Sequence, residues 1–157
     1  MKTICDWVWW IGGKIPVGYS HDIVELQGEP YLERRIVWLF GLFTLRWHTF
    51  WHGDGERFLH DHPWWFITFP LTTYGEHYLI DMESTETGFV ENWGWREVKA
   101  WRPHFRSAKC AHRISEPDVV PIHTLVLGGW YSNKWGFIVN GERVYHKDMG
   151  VAGLKGE

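Results

Sequence analysis

His60 and His62 stand two residues apart in Leu59-His60-Asp61-His62-Pro63. Side chains alternate along an extended segment, so both imidazoles leave one face and converge on one point. Asp61 points the other way and is not assigned to a metal. Neutral imidazole is a ligand for zinc, iron, nickel and manganese-type ions, and a third ligand would leave open positions on the ion for water or substrate. His112, about fifty residues further on in another β-like piece, is the best third candidate. The alternative for a lone His-x-His pair is an exposed or ordinarily hydrogen-bonded role. Against it stands the position of the pair, after a glycine-rich loop and before Pro63 and an apolar strand. A barrel with inward-facing ligands produces such a non-local convergence.

The elements that must hold these residues read as strands. Phe43, Leu45, Trp47, Thr49 and Trp51 share one face of a period-two stretch, and Thr44, Arg46, His48, Phe50 and His52 share the other. Tyr31 to Phe40 reads as a buried strand, with Gly41 as its turn. Trp64 to Leu71 is rich in β-branched and aromatic residues, and Thr72-Thr73-Tyr74-Gly75 closes it as a turn. Further β-like runs cover 76–81, 95–101, 104–109, 112–115, 122–128, 135–140 and 143–145. Asn140-Gly141 is a two-residue hairpin signal between two of them. Residues 1–30, punctuated by Gly12, Gly13, Pro16, Gly18, Gly28 and Pro30, read as an N-terminal arm with one or two short strands. Many short strands without a sustained helical period make this an all-β sandwich or barrel.

Composition bounds the function. The 157 residues suit one domain, and 45% apolar against 22% charged residues is a globular balance. The net charge of -3 carries no pull toward nucleic acid or an anionic membrane. The longest apolar stretch, 36–45, is too short to span a bilayer. Cys5 and Cys110 lack paired spacing, which fits a reducing cytoplasm, and the first residues lack the pattern of a secretion signal. The 13 tryptophans supply large rings for a core and for pocket walls.

His60-Asp61-His62-Pro63-Trp64, Tyr74-Gly75-Glu76, Phe105-Arg106-Ser107-Ala108, Ala111-His112-Arg113-Ile114, Thr124 to Gly128 and Trp135-Gly136-Phe137 occur in that order. Together they resemble a cupin-like family of bacteria and tailed phages, over roughly 31–146. The resemblance implies a cupin-type double-stranded β-helix (jelly-roll) barrel over 31–157, with the arm 1–30 packing on it. Cupins carry His-x-His followed four or five residues later by Glu, and a further His in a second motif. His60, His62 and His112 match the three histidines. Phe66 and Ile67 stand where the Glu belongs, so the resemblance implies a three-histidine site, as in thiol dioxygenase-like cupins, or one completed by a carboxylate from elsewhere. Glu76 is the candidate fourth ligand or general base, with a solvated turn acid as the alternative. Cys110, two residues before His112, is either a soft ligand or pocket thiol or a buried inert cysteine. A homodimer is expected from the resemblance alone.

Trp47, Trp64 and Trp65 are candidates for a pocket wall, and Arg46, Arg106 and Arg113 for pairing with a substrate carboxylate or phosphate. Core packing and surface ion pairs are the alternatives for each. The expected function is that of a protein binding one divalent metal ion (Fe, Zn, Ni or Mn), acting as an oxygenase on a small molecule in the cytoplasm of a bacterium or phage-infected cell. The alternatives are a non-catalytic, metal-stabilised binding or structural protein, and a sugar isomerase or epimerase.

Overall fold

A computed structural model describes residues 4–11, 15–26, 28–55, 57–86 and 88–149. Twelve strands follow one another: β1 (Ile4–Ile11), β2 (Ile15–Leu26), β3 (Glu29–Leu39), β4 (Phe43–Phe50), β5 (Phe66–Pro70), β6 (Tyr74–Thr85), β7 (Gly88–Val98), β8 (His104–Arg106), β9 (His112–Ile114), β10 (Ile122–Gly128), β11 (Gly136–Val139) and β12 (Glu142–Tyr145). They form a seven-stranded sheet in the order β1-β2-β3-β4-β10-β5-β8, a three-stranded sheet β7-β6-β9 and the hairpin β11-β12. Every pairing is antiparallel.

Tight turns set the registers. Phe40 and Gly41 both take positive φ between β3 and β4, as do Asn140 and Gly141 between β11 and β12. Such pairs make the turns whose twist matches antiparallel strands. The expected turn at Tyr74-Gly75 is instead the start of β6. Gly75 serves a packing purpose there, since a Cβ on it would lie 2.9 Å from the indole nitrogen of Trp95. The segment read as an arm supplies β1 and β2; β2 pairs with β3 and β1 with β2, which adds two strands to the large sheet.

Tyr31, Leu32, Phe50, Tyr74, Val98, Ile114 and Ile122 form the main apolar core. Leu59, Ala111 and Ile138 form a second cluster beneath the histidine segment. On β4 Thr44, Arg46, Thr49 and Phe50 are buried, while Leu45 is 38% exposed. The polar half of this strand therefore faces the interior and much of its apolar half faces out, the reverse of an ordinary half-buried strand.

Candidate metal centre

His60 belongs to none of the strands, yet its backbone is paired on both sides. It exchanges hydrogen bonds with His112 of β9 (His60 N to His112 O 3.1 Å, His112 N to His60 O 3.0 Å) and bridges Phe137 of β11. Directly opposed antiparallel residues project their side chains to the same side, so this pairing sets the His60 ring beside the His112 ring, with 5.4 Å between centroids. His62, two residues along, donates its amide to Ala108 O at 3.0 Å and adds the third ring, 5.2 Å from His60 and 4.9 Å from His112. One ring nitrogen from each of the three lies within 4.8 Å of the others.

The chemistry of these nitrogens fits a cation. His62 Nε2 and His112 Nε2 face each other at 2.6 Å, and His60 Nδ1 is buried with no hydrogen-bond partner. Burial pushes His60 down to about 4 and holds His62 well below its ordinary value, so both offer lone pairs at neutral pH. The carboxylate of Glu76 contacts His112 Nδ1. A carboxylate at one imidazole nitrogen fixes the tautomer that leaves the other free to bind a metal. Three neutral imidazoles, one of them oriented in this way, suit a divalent ion.

Glu76 lies on β6 and is fully buried. Besides His112 it accepts hydrogen bonds from Arg96 Nε at 2.9 Å and Arg106 Nη2 at 2.6 Å. Burial alone would raise its pKa, but His112, Arg106 and Arg96 together hold it well below the usual carboxylate range. The structure thus places Glu76 behind His112, outside the group of three ring nitrogens. Arg106 is committed to Glu76 and to the Phe105 carbonyl. Cys110 accepts a hydrogen bond from Arg96 at 3.7 Å and is likewise outside the group.

Of the expected pocket residues, Trp64 packs under Arg46, whose guanidinium lies 4.0 Å from the ring centroid. The structure does not bring Trp47 to the centre. It alternates with the buried Arg46, donates to Thr49 Oγ1 at 3.2 Å and packs near the His123 ring on the opposite face of the sheet. Arg113 follows His112 and turns away from it, donating to the carbonyls of Gly55 and Arg57 beside a surface cleft of about 380 Å³. That cleft is lined by Arg57, Phe58, Glu91, Trp93, Arg113 and Asn140, none of them a metal-ligand candidate from the triad.

Asp61 takes a role the spacing did not announce. It is 3% exposed and accepts from Gly136 N at 2.6 Å, Asn133 Nδ2 at 3.0 Å and Arg143 Nε at 2.8 Å. It therefore ties the histidine segment to the β11-β12 hairpin from the side away from the centre.

No protein-family model matches the chain, and no curated protein matches it. Among solved structures, Fe(II)-HppE with the alternative substrate (S)-1-HPP aligns with a TM-score of 0.50 at 8% identity, over 77% of this chain and 58% of that one. DMSP lyase DddQ from Ruegeria pomeroyi DSS-3 aligns with a TM-score of 0.41 at 18% identity, over 84% of this chain and 53% of that one. The chain spans just over half the length of these proteins. At 8% identity the likeness to the HppE structure concerns architecture alone, and the fold is all-β, of jelly-roll type.

Proposed function

We propose that this protein is a metal-dependent enzyme acting on a small molecule, with His60, His62 and His112 holding one divalent ion and oxidation by molecular oxygen as its reaction. The observation that carries the reading is the convergence of three ring nitrogens within 4.8 Å, one of them oriented by the buried Glu76. A bound ion with three protein ligands supplies open coordination positions and Lewis acidity, and iron(II) adds redox capacity. The chain's own residues orient and insulate. Glu76 fixes the His112 tautomer, and Phe66, whose ring lies 4.6 Å from that of His62, walls the centre. Elemental analysis of protein prepared without a histidine tag tests the reading. About one equivalent of metal is expected, with none in the paired variant His60→Ala, His62→Ala. Iron with oxygen uptake on a substrate panel supports the oxygenase. Zinc that raises only the melting temperature favours a metal-stabilised binding protein.

We further propose that the protein works as a homodimer through the outer face of the large sheet. Tyr19, Val37, Leu45, Leu127, Ile67 and Phe105 are successive cross-strand neighbours along that face. Tyr19 is 36%, Leu45 38% and Phe105 63% exposed. Five strand spacings and three side-chain rows give a patch of about 24 by 20 Å. Trp65, Trp101 and Trp130 extend it through ring contacts with Phe43, Phe69 and Phe105. At about 480 Å² before the tryptophans are added, the face supplies over half of the roughly 800 Å² per partner of a stable interface. A two-fold partner presenting the same face would cover it.

A further inference from the structure

Arg46 projects from β4 into the interior and is 6% exposed. Its Nε donates to Thr44 Oγ1 at 3.0 Å, and its guanidinium carbon sits over the Trp64 ring, 4.0 Å from the centroid. Among the described residues no carboxylate makes a direct salt bridge with it, and Asp22 acts on it only from a distance. The neighbouring Arg34 is already matched by Asp22 through two hydrogen bonds. Arg96 and Arg106 share the single carboxylate of Glu76. His48, next along the same face of β4, has a buried Nε2 with no hydrogen-bond partner. The buried carboxylates Asp54, Asp61 and Glu76 are all engaged by other groups, so Arg46 is left with Thr44 Oγ1 and the Trp64 ring, beside a His48 Nε2 that has no hydrogen-bond partner.

The position of this pair relative to the histidines follows from the registers. Phe66, Gly128 and Thr44 are successive neighbours across β5, β10 and β4. Phe66 touches His62 and Thr44 holds Arg46, so the two sites are two strand spacings apart, about 10 Å. Between them lies Gly128, where a Cβ would come within 2.6 Å of Thr44 Oγ1 and 3.2 Å of the Trp64 indole nitrogen. The bare glycine lets Trp64 and Thr44 approach closely enough to present Arg46.

We propose that Arg46, with His48 beside it, binds an oxyanion, a carboxylate or a phosphate group, so that the substrate is a short-chain organic acid held by Arg46 at one end and presented to the three-histidine centre at the other. The second half rests on the metal-dependent reading above, and the first stands on Arg46 alone. Buried cations without a carboxylate partner are disfavoured, and burial pushes Arg46 down to about 10. An oxyanion on the planar guanidinium supplies the missing counter-charge through paired hydrogen bonds.

The test titrates inorganic phosphate, and separately acetate, into metal-free protein by calorimetry. Wild type is expected to bind one of the two at a single site, which tells a phospho acid from a carboxylic acid. Arg46→Met and Arg46→Gln are both expected to bind it at least ten-fold more weakly while melting no lower than wild type without anions. Elemental analysis of the same variants after metal loading is expected to match wild type, which separates this result from any failure of the histidine centre. Binding by Arg46→Gln equal to wild type overturns the proposal. So does wild type that binds neither anion, or a melting temperature that falls sharply in both variants, since that would make Arg46 a structural residue.

Discussion

The carboxylate of Glu76 meets the His112 ring on one side and two guanidinium groups on the other. Glu76→Gln would keep the shape and remove the charge, weakening the hold on the His112 tautomer and leaving Arg96 and Arg106 unmatched. Metal affinity is expected to fall about 10- to 100-fold, measured by competition with a chelator. Protonation gives a second test. His60 folds with its pKa at about 4 against an ordinary 6.5, and His62 and His48 are lowered in the same direction, all mainly by burial. Between those values the unfolded chain binds protons that the folded chain does not, so stability falls as pH drops from about 6.5 toward 4, by up to about 1.4 kcal/mol per pH unit for each such histidine. Thermal melts of metal-free protein should show this decline, and a flat melting temperature over that window would refute it. At this scale the period of two makes His60 and His62 neighbours in the sequence itself. The partners of Glu76 are not legible there, because its placement opposite Arg96, twenty residues on, depends on the β6-β7 register set at the far end of that hairpin.

Between residue and molecule, the hairpin β11-β12 is the element that secures the centre. Its turn is readable from Asn140-Gly141, but its attachment to Asp61 is not, since alternation says only that Asp61 faces away from the histidines. Asp61→Ala would strip the Gly136 amide and Arg143 of their acceptor and is expected to cost about 3 kcal/mol, with faster hydrogen exchange at Gly136 as the local signature. Chemical denaturation of wild type and variant measures the first, and unchanged exchange at Gly136 would argue against the tie. Strand β4 was legible as a period-two element, while the direction of its faces was not. Composition points Leu45 and Trp47 inward, yet Arg46 and Thr44 are the buried ones. A polar interior reverses the usual rule, and only the pairing with β10 and β3 reveals it.

Over the whole molecule, the all-β class was legible because turns and β-like runs recur at short spacing. The contribution of β1 and β2 to the large sheet was less so, since glycine and proline punctuation reads as an arm. The outward apolar face predicts association. Leu127→Glu places a charge at the middle of the cross-strand row and is expected to shift the protein from twice the chain mass to the chain mass in light scattering, with its metal content unchanged. A wild type that is monomeric at high concentration would remove the dimer. The tie between Asp61 and Arg143 spans 82 residues. On the ribosome, His60 and His62 emerge long before that arginine is made, and His112 also precedes it. A nascent chain therefore carries all three histidines well before the clasp that steadies their segment exists, so the proposed centre can take its final shape only once translation has passed residue 143.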